Sequence, residues 1–161
     1  MEEKALQIFY DLEVFEQMNL AGFLIHDPNG KVPDKVLEFI NTPNKLTVNV
    51  PNVYTYINDK GASASMLKRL CSGKYDIYGF NNHNYDDFVL RYVLTNQPVA
   101  ATKEQSDKYI NKEFDKKEWP EGLVTWDLRD QLLSVSLKKY EAMKGLSVKE
   151  SSIPFDKADE F

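Results

Sequence analysis

The stretch Ile8-Phe9-Tyr10-Asp11-Leu12-Glu13-Val14-Phe15 constrains this chain more than any other. Apolar residues surround two acids spaced i, i+2. Side chains on a β-strand alternate between faces, so this spacing puts both carboxylates on one face. Two neighbouring carboxylates in an apolar strand repel each other and lose hydration. A divalent cation relieves both penalties. Mg²⁺ and Mn²⁺ take oxygen ligands, and two such ions about 4 Å apart serve phosphoryl-transfer chemistry. The plainer alternative is a strand end whose acids point to water.

Length and charge narrow the classes. A chain of 161 residues with 42% hydrophobic residues can bury a core as a single domain spanning residues 1–161. No apolar run approaches ~18 residues, so no membrane span is expected. Met1-Glu2-Glu3-Lys4 lacks the basic start of a secretion signal, which points to the cytoplasm. The lone Cys71 excludes an internal disulfide, and Cys71 with His26 and His83 makes no zinc cluster. A net charge of −5 argues against a general basic nucleic-acid binder. It leaves a nuclease open, because active-site carboxylates are counted as negative and metal ions offset them in use.

Along the chain, residues 5–15 read as a core strand and Leu20–Ile25 as a second, closed by the turn Asp27-Pro28-Asn29-Gly30. Pro33–Ile40 reads as one short helix. Leu46–Val50 and Val53–Ile57 alternate and are β-rich, and Pro51 between them places at least one as a third strand at the sheet edge. Ser63–Leu70 reads as an amphipathic helix, Tyr75–Phe80 as a buried strand, Asn81–Asn84 as a polar loop and Tyr85–Leu94 as a helix. Strand, loop, helix is an order that sets functional side chains at a strand's C-terminal end. Residues 95–122, polar and lysine-rich, read as irregular helix and surface loop with a solvated face. Leu123–Trp126 reads as a strand leading to Asp127, and Ser136–Gly145 as a helix. The expected fold class is α/β: a mixed central sheet, an antiparallel three-strand meander then parallel strands, with helices on both faces.

The second informative stretch is Gly79-Phe80-Asn81-Asn82-His83-Asn84-Tyr85-Asp86-Asp87. Asp86 follows an aromatic residue at the strand-to-helix junction, and a sheet can bring it beside Asp11 and Glu13. An asparagine-rich loop next to three carboxylates can hold a nucleic-acid strand by its sugars, phosphates and base edges. Taken alone, Asp86 and Asp87 are ordinary first-turn acids favoured by the helix dipole.

The chain resembles the 3′–5′ exonuclease domain of the four-acid (DEDD) superfamily, of RNase H-like fold, in the style of the proofreading domains of phage and plasmid family B DNA polymerases. Tyr10-Asp11-Leu12-Glu13 resembles its first motif. Gly79-Phe80-Asn81 leading to Tyr85-Asp86 resembles its second. Leu123–Asp127, Ser136–Glu141 and Pro154-Phe155-Asp156 resemble the strand and helix that follow. The resemblance implies that Asp11, Glu13 and Asp86 bind two Mg²⁺ or Mn²⁺ ions, one activating water and one stabilising the leaving 3′ oxygen. It implies that Leu12 and Tyr85 flank the terminal nucleotide of a single-stranded DNA 3′ end, and that Asn81 or Asn82 contacts substrate. Lys138 and Lys139 are phosphate contacts or a solvated helix face.

The family's third motif, Tyr or His three residues before an Asp, is not found after Phe155. His83-x-x-x-Asp87 matches the pattern in the wrong place and is taken as chance. The resemblance thus implies a domain lacking its C-terminal helix and fourth acid, with activity reduced by ~10²–10⁴. It also implies a downstream polymerase domain, and exposed apolar surface that could form a homodimer. Two functions follow: a metal-dependent 3′–5′ exonuclease, or a catalytically incomplete RNase H-like module that binds single strands or a partner protein.

Overall fold

A computed structural model of the protein describes residues 4–30, 46–50, 53–58, 64–95, 97–114, 118–132 and 135–146. Six strands form one mixed sheet: β1 (Leu6–Val14), β2 (Asn19–His26), β3 (Leu46–Val50), β4 (Val53–Asn58), β5 (Tyr75–Gly79) and β6 (Thr125–Asp127), in the order β3-β4-β2-β1-β5-β6. Antiparallel pairing joins β1 to β2, β2 to β4 and β4 to β3. Beyond β1 the pairing is parallel, β1 to β5 and β5 to β6. The α/β class and the switch from antiparallel to parallel pairing agree with the sequence reading.

The antiparallel half differs from a simple meander. The chain leaves β2, forms β3 at the outer edge and returns as β4, and β4 is the strand that pairs with β2. Both candidate segments are therefore strands, and only β3 is at the edge. Alternation marks each as a strand but says nothing of which one lies inside, because register is fixed by pairing across the sheet. The turn after β2 forms as its residues predict. The Asn29 N–H donates to Asp27 Oδ1 at 2.8 Å, and Gly30 takes a positive φ of 71°.

Five helices are described: α1 (Ala64–Leu70), α2 (Asp86–Leu94), α3 (Val99–Asn111), α4 (Leu128–Gln131) and α5 (Leu137–Met143). The core lies between one face of the sheet and α1, α2 and α3. Leu6, Ile8, Tyr10, Leu12 and Val14 of β1 pack with Ile77 of β5, with Leu70, and with Phe88, Val89, Leu90, Val93, Leu94 and Tyr109. Among the described residues, helices join the core on this face. The expected helix at Pro33–Ile40 and the segment Pro154–Asp156 lie outside the described residues. Among the described residues, no helix is long and apolar enough to cross a membrane.

Residues 95–122 correct the sequence reading. Thirteen of them form the regular helix α3, capped at its C-terminus by Lys112 in the left-handed region. Its buried residues are Thr102, Ser106 and Tyr109, spaced i, i+4, i+7. Two of these three are small and polar, so the helical period is present but hidden from any reading of hydrophobicity.

The end of β5 is tightly built. A Cβ on Gly79 would stand 2.6 Å from the Cβ and 2.7 Å from the Cγ of Asn82, which is buried. We expect Gly79→Ala to destabilise the fold by about 1–3 kcal/mol through overpacking, read as a lower melting temperature. An unchanged melt would show that the loop after β5 yields freely.

Candidate functional site

Strand β1 buries Tyr10, Leu12 and Val14 and leaves Asp11 and Glu13 on the opposite, open side. The two carboxylates therefore share one face, as the i, i+2 spacing requires. Asp86 and Asp87 follow a short 3₁₀ turn (Asn82–Asn84) and open α2. Their side chains diverge. Asp86 turns toward β1 and the solvent side, whereas Asp87 is fully buried.

Electrostatics join Asp11, Glu13 and Asp86 into one group. Burial, then the charge of Asp11, with Asp87 and Glu13 adding, pushes the Asp86 carboxyl up to about 7 against the pull of its own backbone N–H. Burial raises Asp11. Burial and the Asp11 charge raise Glu13. Asp11 and Glu13 reach solvent, yet the surrounding protein still limits their hydration enough to raise both, and Glu13 lines a concavity. Such a set of unneutralised oxygens suits a hard divalent cation.

Beside them opens a cavity of about 520 Å³. Leu12, Glu13, Asn81, Tyr85 and Asp86 line it, together with Val14 and Glu16 of the first hairpin and Lys103, Ser106, Asp107 and Ile110 of α3. The Tyr85 ring is held by a 2.6 Å hydrogen bond between its hydroxyl and Ser106 Oγ. The two candidate asparagines separate here. Asn81 lines the cavity with φ 61°, in the left-handed region that asparagine tolerates. Asn82 is buried, and its Nδ2 donates to Asp87 Oδ2 at 2.9 Å and to Thr125 Oγ1 at 3.2 Å.

Asp127 of β6 and Arg129 of α4, to which the sequence reading assigned no site role, fix this loop. Asp127 Oδ1 accepts from the Asn81 N–H at 2.8 Å and from the Arg129 N–H at 2.9 Å, and Oδ2 accepts from the His83 N–H at 3.2 Å. Arg129 Nη1 donates to Asn81 Oδ1. The bond from the Arg129 N–H is a local helix cap, but the contacts to Asn81 and His83 span 44 to 48 residues and carry no local signal. His83, Asp127 and Asp130 have ligand atoms all within 4.8 Å of one another and could hold a metal ion. Asp127, however, already serves three backbone N–H groups. Lys138 and Lys139 are exposed on α5, in keeping with a solvated face.

Asp87 is the buried anchor of the site. Its carboxylate accepts from the Tyr10 hydroxyl, from Asn82 Nδ2 and from Thr125 Oγ1, each of the last two at 2.9 Å. Burial raises its pKa despite the donors that favour its charged form. His83 Nε2 lies 4.0 Å from Asp87 Oδ2, so the His83-x-x-x-Asp87 spacing brings the two together within this network.

Two expectations follow. Asp87→Asn places an amide N–H₂ among three donors and should destabilise the fold by about 1–3 kcal/mol per group left unpaired. Tyr10→Phe, which removes one donor and leaves two, should cost less. Equal melts for both variants and wild type would contradict the network. The second concerns pH. A folded-state carboxyl raised above its unfolded value keeps a proton that the unfolded chain has released, so stability falls as pH rises between the two values. For Asp86 that window runs from 3.8 to about 7. In chelator, the melting temperature should drop across it, and Asp86→Asn should flatten the drop. An unaltered pH profile in the variant would refute this.

No protein-family model, no curated protein and no solved structure matches this chain.

Proposed function

We propose that the protein is a metal-dependent 3′–5′ exonuclease domain of RNase H-like fold, acting at single-stranded DNA 3′ ends in the manner of DEDD proofreading domains. The observation that carries this reading is the grouping of three carboxylates at one open cavity: Glu13 and Asp86 line it, and the charge of Asp11 beside them raises the pKa of both. The sheet order supports it: β1 stands between an antiparallel and a parallel neighbour, and its C-terminal half carries the acids.

The donor set, three carboxylates short of neutralising charge, fits Mg²⁺ or Mn²⁺, and Asp11, Glu13 and Asp86 would hold them. Such ions supply Lewis-acid activation of water and stabilise charge on the leaving oxygen. The chain's own residues do the rest. Leu12 and Tyr85 offer an apolar edge and an aromatic ring to the terminal base, and the Ser106 bond fixes the ring. Asn81, gripped by Asp127 and Arg129, keeps its position at the cavity wall without rearrangement on binding. A proofreading role implies a DNA polymerase as functional partner.

One observation favours the alternative of a module that binds strands without cutting them. A further acid on the cavity wall, Asp107, is engaged by Lys103, and the neighbouring charges that raise Asp86 are Asp11, Asp87 and Glu13. A single-stranded oligonucleotide labelled at each end in turn, with Mg²⁺ or Mn²⁺, separates the two. We expect shortening from the 3′ end, abolished in the Asp11→Ala, Glu13→Ala double variant. Tight binding with no shortening would establish the binding module. Neither binding nor a Mn²⁺-dependent rise in melting temperature would refute both.

A further inference from the structure

We propose that α3 is the strand-holding wall of the cavity and that Lys103 takes a backbone phosphate of the bound strand. The inference rests on the nucleic-acid reading above and adds a substrate contact to it.

The cavity is strongly acidic. Glu13, Glu16, Asp86 and Asp107 line it, and among the described residues Lys103 is the one cation in its lining. A phosphodiester entering such a space meets repulsion unless an ammonium or a metal ion accompanies it. Lys103 is placed to provide this. Its Nζ contacts both Asp107 oxygens, at 2.5 and 2.6 Å, and its side chain is only 25% exposed. Asp107, one turn further along α3, thereby holds the ammonium at the cavity wall in the free protein. The plainer reading is an ordinary helix-surface pair, and α3 contains one for comparison. Lys108 and Glu104 pair at the same spacing, but they do not line the cavity and their side chains are more exposed, 39% and 65%.

The same face of α3 carries two further features suited to a single strand. Ser106 fixes the Tyr85 ring, and Ile110 stands 64% exposed at the cavity. A large apolar side chain left open beside an aromatic ring offers surface to a base, and base faces are sequence-tolerant in such contacts. Cation, anchored ring and open isoleucine thus follow one another along one wall. On binding, Lys103 exchanges its carboxylate partner for the phosphate, and the acids of the opposite wall remain for metal ions.

The test is the salt dependence of binding. A fluorescent oligothymidylate is titrated with the full chain in Ca²⁺, across a series of KCl concentrations, and followed by anisotropy. Each phosphate contact to a single strand contributes about 0.7 to the slope of log K against log salt. Lys103→Ala should make the slope shallower by about 0.7, Lys103→Arg should restore it, and Lys108→Ala should leave it unchanged. Asp107→Asn, which frees the ammonium and retains it, should keep the slope and tighten binding. A merely structural role would weaken binding at every salt concentration and leave the slope alone. An unchanged slope in Lys103→Ala, or a reduced one in Asp107→Asn, would overturn the inference while leaving the nucleic-acid reading intact. Absence of binding by wild type at low salt would overturn both. Should Lys103→Ala fail to fold, Asp107→Asn and Lys103→Arg carry the decision.

Discussion

The buried carboxylate of Asp87 is the contact on which the rest of the site depends. Its three donors come from β1, the 3₁₀ turn and β6, and it lies in the first turn of α2. Hydrogen bonds to a charged acceptor contribute roughly 1.5–3 kcal/mol each, and a carboxylate removed from water is stable only when its lone pairs are filled. Tyr10 immediately precedes Asp11, and Asp86 immediately precedes Asp87. The Tyr10–Asp87 bond therefore pins the backbone of both acid-bearing segments from the inside, and Asp11 and Asp86 project outward as neighbours.

That arrangement accounts for the electrostatic tension at the surface. Asp11, Glu13 and Asp86 are held close by structure formed behind them, so they cannot relax apart when all are charged. Burial is the larger cause of the raised pKa values of Glu13 and Asp86, and repulsion by neighbouring carboxylates is the smaller. In the proposed reading, a divalent ion bound there would offset both the burial cost and the repulsion. The energy that holds the acids together comes from the core packing of β1, β5 and α2 and from the Asp87 network.

The same division of labour governs the loop before α2. The sequence left Asn81 and Asn82 as alternative substrate contacts, and of the two only Asn81 lines the cavity. Asn82 is consumed in the interior, where Gly79 leaves it room, and Asn81 is presented outward by Asp127 and Arg129. β6 contributes only three residues to the sheet, but Thr125 and Asp127 both bond to the segment carrying Asp86. A short strand here serves chiefly to place two side chains.

Much of the fold could be read from local pattern. Alternation fixed the strands, and the i, i+2 spacing fixed the shared face of Asp11 and Glu13, because both follow from backbone geometry within a few residues. The strand–turn–helix junction at Gly79–Asp87 was equally legible from its glycine, asparagines and following helical period. Tertiary structure alone decided which of β3 and β4 sits inside the sheet, which asparagine meets the cavity, and that Asp87 is an anchor while its neighbour Asp86 is exposed to the site. It also decided that α3, read as a solvated surface, forms a cavity wall, since Thr102 and Ser106 are buried by what packs on them. These outcomes depend on pairings such as Tyr10 with Asp87, 77 residues apart, and Asn81 with Arg129, 48 apart. A polar side chain carries no local mark of whether its partner is water or a distant donor, so its role is settled only when the chain has closed around it.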